Sequence, residues 1–419
     1  MSAIDGKLHI KFSIGHIHFF KQFVYDQYLK EWVYLECTLY LTENCNLKCS
    51  YCYEGDDKRK KILSSDDLKT AIDFIVQHNP EGEKLDLTFL GGEPLLNKKL
   101  IYECMDIINQ KYPESKKNFE FHITTNGVLL DADVIELFKK YNVDVSISID
   151  GDKRTHNLNR KSKNGVDVYD NIIENMRLMQ KMQLSFSVRM TVTENNVEFL
   201  YENLQYFYHM GIHKFHLGID NMGEWTKQGL KILDEQMYKM DQFYLDVICR
   251  EKDATLNLHD YKIGTFVAAS IPQYCSGGSA GHLTINSSGE LFPCGYVVND
   301  EVWNLGTVRT GLNRKKFLES ARGHVAPKAF CHECDIAFTC SGAKCGFCNY
   351  VKTGKLNVHS EQTCKRERIL YKHNLNVYKQ MYARKDMRLM RYLQIARDQK
   401  IELSKIMKTI ICEVEQVSI

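Results

Sequence analysis

Between residues 34 and 250 the chain alternates between two kinds of segment, and this alternation limits its fold more than any other feature. Six short runs are rich in β-branched and aromatic residues: 34–42 (YLECTLYLT), 85–90 (LDLTFL), 119–124 (FEFHIT), 143–149 (VDVSISI), 184–192 (LSFSVRMTV) and 214–219 (KFHLGI). Such runs read as strands. Helical patterns separate them. The clearest follows Ser65, taken as its N-cap, and places Leu68, Ala71, Ile72, Ile75 and Val76 on one face. Others are expected over about 97–111, 132–141, 170–182 and 196–210. Six strand–helix units in series imply an α/β fold with a parallel sheet and right-handed crossovers, either open or closing partly, like an incomplete TIM barrel. Functional groups should then gather at the C-terminal ends of the strands.

The informative motifs fall on that rim. Cys45, Cys49 and Cys52 follow the first strand, within TENCNLKCSYCYEG, with spacing C-x3-C-x2-C. Gly91-Gly92-Glu93-Pro94 follows the second, Thr125-Asn126-Gly127 the third and Asp150-Gly151 the fourth. Taken singly, GGEP and TTNG read as turns and Asp-Gly as a loop start. Their order and common rim point instead to one site. An iron–sulfur cube normally takes four thiolates. Three leave one iron open, and an open iron is a place for chemistry. Surface-facing or zinc-bound cysteines are the bland alternative. His156 is expected to be structural.

A chain of 419 residues is long enough for two or three domains. Its net charge of +2 gives no electrostatic case for nucleic acid or a membrane surface. No apolar run approaches the length of a membrane span, and MSAIDGKLHIKFSIGHIHFF lacks a signal-peptide core, so a cytoplasmic setting is expected. There thiols stay reduced, and clustered cysteines read as metal ligands before disulfides.

After about residue 265 the alternation stops and cysteines crowd together: Cys275, Cys294, Cys331, Cys334, Cys340, Cys345, Cys348 and Cys364. Such a region is expected to be held by metal instead of a large apolar core. Zinc on Cys331, Cys334, Cys345 and Cys348 is one reading, but it strands the other four. The expected division is a cap segment at 1–33, a core at 34–265, a cysteine-rich domain at 266–367 and a helical tail at 368–419.

The cysteine triad, GGEP, TTNG, and SISIDG followed by His156 and Arg160 together resemble the core of the radical S-adenosylmethionine (radical SAM) family. The resemblance implies a partial (β/α)6 TIM-like barrel. It implies a 4Fe–4S cluster on Cys45, Cys49 and Cys52 whose open iron chelates S-adenosylmethionine. An electron then cleaves the sulfonium to a 5′-deoxyadenosyl radical that abstracts hydrogen from substrate. Tyr51 would line the adenine pocket, while Gly91 and Gly92 would allow close backbone approach. Glu93 would meet the methionine ammonium. Asn126, Ser148 and Asp150 would serve the ribose and carboxylate, and Arg160 would pair with that carboxylate or anchor its own loop.

The C-x13-G-x4-C and C-x2-C-x5-C spacings resemble the SPASM extension, which binds two auxiliary 4Fe–4S clusters. That implies three clusters in all. Cys331, Cys334, Cys340 and Cys364 would hold one auxiliary cluster. Cys275 and Cys294 would join a cysteine from 345–348 in the other. The chain departs from the pattern at Lys344, so either Cys345 and Cys348 both ligate, the favoured reading, or one iron stays open. The implied function is a maturase of ribosomally made peptides, with a thioether crosslink as first choice. The substrate would be a small cysteine-containing precursor, and flavodoxin or ferredoxin the electron donor. Carbon–carbon crosslinking, epimerisation and formylglycine formation in sulfatases are the alternatives. The last is disfavoured because Gly295 stands where that branch carries an aspartate.

Overall fold

The computed structural model describes residues 35–55, 60–79, 83–115, 118–268, 281–327, 331 and 334–416. The expected cap segment 1–33 and Cys275 lie outside the described residues.

All six expected strands form. They are β1 (Leu35–Thr42), β2 (Leu85–Gly91), β3 (Phe119–Thr125), β4 (Asp144–Ser148), β5 (Phe186–Val192) and β6 (Lys214–Ile219). Three short strands follow: β7 (Thr255–Leu256), β8 (His282–Ile285) and β9 (Leu291–Phe292). The sheet order is β9-β8-β1-β2-β3-β4-β5-β6-β7, and β8–β9 is the one antiparallel pair in it. From β1 to β6 each strand pairs with the next in chain order. That is the strand order of an incomplete barrel. The sheet does not stop at the expected boundary near residue 265, because β8 pairs with β1, Glu36 opposite His282.

The two faces of the sheet differ. In β1, Leu35, Cys37, Leu39 and Leu41 are buried, and in β5 Phe186, Val188, Met190 and Val192 are buried. These side chains face the helices. The alternate positions (Glu36, Thr38, Ser187, Arg189, Thr191) are half-buried or exposed and face a polar lumen. A parallel sheet is usually dry on both faces. Here the second face is polar and partly accessible.

The covering helices are α1 (Ser65–His78), α2 (Lys98–Lys111), α3 (Ala132–Lys140), α4 (Lys153–Asn159), α5 (Tyr169–Lys181) and α6 (Leu200–His209). Helix α1 buries Leu68, Ala71, Ile72 and Ile75 as its periodicity predicts. Its cap is Ser64, not Ser65. The extended Ser64 accepts from Asp67 N, whereas the Ser65 hydroxyl donates to Glu103. Cys37 and Cys104 lie in the apolar core, where burial pushes both thiols up.

Helix α7 (Lys227–Asp246) follows β6, and the tail forms α8 (Glu361–Ala383), α9 (Met387–Asp398) and α10 (Lys405–Glu415). Val377, Tyr378, Met381, Leu389, Met407 and Ile410 are fully buried, so the tail is docked on the barrel. Polar bonds fix the docking. His373 lies 2.5 Å from Asp241 and 2.9 Å from Asp234, both on α7, and Tyr378 donates to His259 O.

Candidate active site

The loop after β1 carries the triad. A short strand within it, Leu47–Cys49, pairs antiparallel with Arg160–Ser162, setting Cys49 opposite Arg160. Cys45 is buried and accepts from Leu47 N at 3.4 Å. Burial pushes the Cys49 thiol up to about 11 against the pull of Arg160, and Asp150, Cys45 and Cys52 add to the rise. The three sulfurs therefore converge on one region. Among the described residues no three cysteine sulfurs lie within 4.8 Å of one another. Thiolates on one tetrahedral zinc would stand about 3.8 Å apart, given Zn–S bonds of about 2.3 Å. An all-thiolate set wider than a single ion fits an iron–sulfur cluster.

Gly91 and Gly92 work differently from a simple ligand cradle. Gly91 has φ +133°, and a Cβ there would sit 2.0 Å from Thr42 O. At Gly92 it would sit 2.2 Å from Asn44 O. The close approach they permit is that of the cysteine loop's own backbone. Gly92 N donates to Thr42 O at 3.0 Å and Glu93 N to Asn44 O at 2.8 Å. Glu93 is buried and its carboxylate ties strand ends together. Oε1 accepts from Leu95 N at 3.0 Å and Thr125 Oγ1 at 2.6 Å, and Oε2 accepts from Asn126 N at 2.7 Å. Asn126 in turn donates to Asn46 Oδ1 at 2.7 Å, reaching back into the cysteine loop.

The fourth strand end holds a buried polar knot. Asp150 Oδ2 accepts from Tyr51 at 2.6 Å, and Oδ1 accepts from Thr191 N at 2.9 Å and lies 3.1 Å from Arg160 Nε. Arg160 Cζ also lies 5.2 Å from the centre of the Tyr51 ring. Burial works against the Arg160 charge, but Asp150, Tyr51 and Cys49 outweigh it and its pKa is raised. Of the two roles expected for Arg160, the structure displays the loop anchor. Tyr51 and Asp150 are engaged in the same knot. Ser148 ends β4 beside it, opposite Arg189 on β5. His156 is fully buried against Tyr169, and burial with Arg160 pushes it down to about 3.

Sequence reading misses three groups. Arg189 projects into the lumen between Ser148 and His216 on the adjoining strands. Its signal is a charge at a lumen position of the otherwise apolar-alternating FSVRMTV. Beside it, Tyr53 shares a 3.0 Å hydroxyl contact with Tyr40, and its ring lies 5.1 Å from that of Tyr296, tilted at 54°. A side chain at Gly295 would point at the Tyr40 and Tyr53 hydroxyls, 3.2 and 3.6 Å away. His359 is the third.

The C-terminal cysteines divide into two groups. Cys331 feels Cys334 and Cys364, Cys364 feels Cys334, and Cys340 feels Cys331. His359 lies between Cys331, with Nε2 3.0 Å from its sulfur, and Cys364, with Nδ1 3.5 Å from its sulfur. The second group is Cys294, Cys345 and Cys348. All three act on Tyr296, whose hydroxyl is raised by burial first and by these thiols next. The four-thiolate zinc set Cys331, Cys334, Cys345 and Cys348 is thus split between groups. Lys344, the departure from the expected spacing, donates to Phe338 O, and burial with Lys262 lowers it to about 8.

Residues 39–223 match the Radical SAM superfamily. The chain is 24% identical over 322 residues to the cysteine-type anaerobic sulfatase-maturating enzyme of Clostridium perfringens (strain 13 / Type A), covering 72% of this chain and 86% of that one. It is 25% identical over 313 residues to the sporulation killing factor maturation protein SkfB of Bacillus subtilis (strain 168), covering 73% and 68%. The uncharacterized protein MJ0907 of Methanocaldococcus jannaschii is 32% identical over 174 residues. That match takes in 42% of this chain and 58% of MJ0907's own length. Among solved structures, anSMEcpe with bound AdoMet superposes with a TM-score of 0.70 at 19% identity, over 86% of this chain and 98% of that one. Streptococcus suis SuiB bound to precursor peptide SuiA gives 0.55 at 16% identity, over 86% and 84%. Both show the shared fold. Among the described residues no helix is long and apolar enough to cross a membrane.

Proposed function

We propose, from the premise that this chain is an enzyme of the radical SAM superfamily, that it matures a peptide by forming a thioether crosslink from a substrate cysteine. One observation carries the reading. Tyr40, Tyr53 and Tyr296 bridge the two cysteine groups: Tyr53 lies near Cys52 and meets Tyr40 and Tyr296, and Tyr296 lies near Cys294, Cys345 and Cys348. A peptide side chain beside these tyrosines would have the triad on one side and a second thiolate group on the other.

Cys45, Cys49 and Cys52 would hold a 4Fe–4S cluster that, with S-adenosylmethionine, supplies a radical able to remove hydrogen from substrate. The surrounding residues bind and orient. Asn126 and Ser148 stand at strand ends and would face the nucleoside. Glu93 fixes the strand ends by its hydrogen bonds, and the Tyr51–Asp150–Arg160 knot fixes the cysteine loop. Cys331, Cys334, Cys340 and Cys364 would hold one auxiliary cluster. Cys275, Cys294, Cys345 and Cys348 would close the other, giving three clusters in all. An external one-electron donor such as flavodoxin or ferredoxin completes the set.

Formylglycine formation is the second reading, favoured by the similarity to a sulfatase-maturating enzyme. Against it, position 295 is a glycine facing two tyrosine hydroxyls, not an acid that could take a proton.

The test is anaerobic reconstitution, assay for 5′-deoxyadenosine, and co-expression with short cysteine-bearing peptides encoded nearby. A loss of two hydrogens per crosslink supports the thioether. Unchanged mass with deuterium uptake points to epimerisation. Absence of 5′-deoxyadenosine, or its persistence after Cys45, Cys49 and Cys52 are replaced by alanine, overturns the reading.

A further inference from the structure

We infer that His359 donates an N–H···S hydrogen bond to the cysteine group Cys331, Cys334, Cys340 and Cys364 and thereby raises the reduction potential of the cluster held there. The inference rests on the reading that this group holds an auxiliary cluster.

The geometry is specific. The His359 ring lies with Nε2 3.0 Å from Cys331 Sγ, while Nδ1 and Nε2 stand 3.5 and 3.8 Å from Cys364 Sγ. Nδ1 also lies 3.2 Å from Ser360 O. One imidazole therefore faces two sulfurs that are 33 positions apart in the chain (331 and 364). A ligating thiolate has no proton to give, so a ring nitrogen bonded to sulfur must carry the hydrogen. The shortest contact places it on Nε2, facing Cys331, and Nδ1, which then carries none, makes no hydrogen bond to Cys364 or to Ser360 O.

The ring is held in place by the chain around it. Asn357 exchanges two hydrogen bonds with the backbone of Ala326, at 2.8 and 2.9 Å. Leu356 N donates to His324 O at 2.8 Å, and Thr353 Oγ1 donates to Val358 O at 2.8 Å. On the other side Ser360 caps α8, accepting from Thr363 N. A side chain framed on both flanks is pre-positioned.

The other sulfurs of the group also meet donors. Ala343 N lies 3.3 Å from Cys340 Sγ, and Arg368 Nη2 lies 3.8 Å from Cys334 Sγ. Donors aimed at ligand sulfurs favour the reduced, more negative cluster and raise its potential. Four thiolates already fill the four corners of a cube, so His359 acts as a donor and not as a ligand. It is a positioning residue whose effect is electronic. The consequence is a cluster poised to receive electrons from within the enzyme.

The experiment uses the full chain, reconstituted anaerobically, with Cys45, Cys49 and Cys52 replaced by alanine to silence the first site. Potentiometric titration followed by electron paramagnetic resonance compares this parent with His359→Leu and His359→Gln. The expected result is a tenfold fall in the reduced-to-oxidised ratio at fixed poise for His359→Leu, about 59 mV for one electron. Iron content and line shape should be unchanged, with His359→Gln, which keeps an N–H, lying between. An unmoved midpoint overturns the inference. So does loss of iron in both variants, which would make His359 a ligand. A further chain with Cys331→Ala and Cys334→Ala separates the two levels. If that chain loses neither iron nor signal, the cluster assignment fails and not the hydrogen bond alone.

Discussion

The barrel rim and the cysteine-rich half carry the same donor chemistry on opposite kinds of scaffold. On the rim, three cysteines close in sequence are clamped by backbone bonds to β2 and by strand-to-strand contacts through Glu93. The sheet beneath them is extensive, and its helix-facing side is dry. In the C-terminal half the sulfurs come from positions 294 to 364 and ride on short pieces, such as the helices Ser341–Lys344 and Gly346–Thr353. The local apolar packing is a small aromatic set around Trp303, with Phe317, His324, Phe347 and Tyr350. The rim site is thus shaped by the fold, whereas the second region is expected to depend more on what its sulfurs bind.

Stripping iron by chelation should give the largest effect and the sharpest break between the two. Hydrogen exchange is expected to lose protection over 341–353 while β1 to β6 keep theirs. Equal loss in both regions would remove the distinction. The next effect lies on the rim itself. Asp150→Asn keeps shape and a carbonyl for Thr191 N, but it leaves the buried Arg160 uncompensated. Breaking one partner of a buried pair costs about 3–5 kcal/mol. Denaturant unfolding of the barrel should show that cost. A cost under about 1 kcal/mol would mean that the knot does not anchor the loop.

Much of this contrast is legible in sequence, and the rest fails for a physical reason. The six barrel strands are found because each carries its own apolar alternation, a local signal. The four-residue β8 is too short to carry one, and its pairing with β1 joins residues about 246 positions apart, Glu36 to His282. The triad announces itself by spacing. What Gly91, Gly92 and Glu93 do is hidden, because their partners Thr42, Asn44, Thr125 and Asn126 lie on other strand ends. Among the described residues Cys331, Cys334, Cys340 and Cys364 lie near one another, and Cys294, Cys345 and Cys348 near Tyr296; which of them share a cluster is part of the proposal. His359 does not announce itself, since one histidine near a cysteine carries no spacing rule.

At mildly acidic pH a further effect separates the regions. His156, in the barrel, is held down to about 3 by burial and by Arg160, against about 6.5 when unfolded. Below pH 6.5 the unfolded chain binds a proton that the folded chain refuses. Stability should therefore fall as pH drops from about 6.5 toward 3, with a limiting slope of about 1.4 kcal/mol per pH unit from this group. His156→Phe should flatten that acid limb in barrel unfolding and leave exchange in the cysteine-rich half unchanged. A limb as steep as the parent's would show that His156 is not what charges.

The smallest effect comes from two matched caps. Ser64 accepts from Asp67 N at the start of α1, and Ser360 accepts from Thr363 N at the start of α8, next to His359. Each serine-to-alanine change should cost about 1 kcal/mol. In the barrel that cost should appear as a plain shift in the unfolding midpoint, with no spectroscopic consequence, because among the described residues the Ser64 hydroxyl bonds within its own helix start, to Asp67. At Ser360 the same loss frees the residue that follows His359. The barrel midpoint should move equally little, but the C-terminal cluster signal should broaden as the imidazole loses its frame. If Ser360→Ala proves as silent as Ser64→Ala, the second region is held as rigidly by its chain as the first, and its dependence on bound iron is not what distinguishes it.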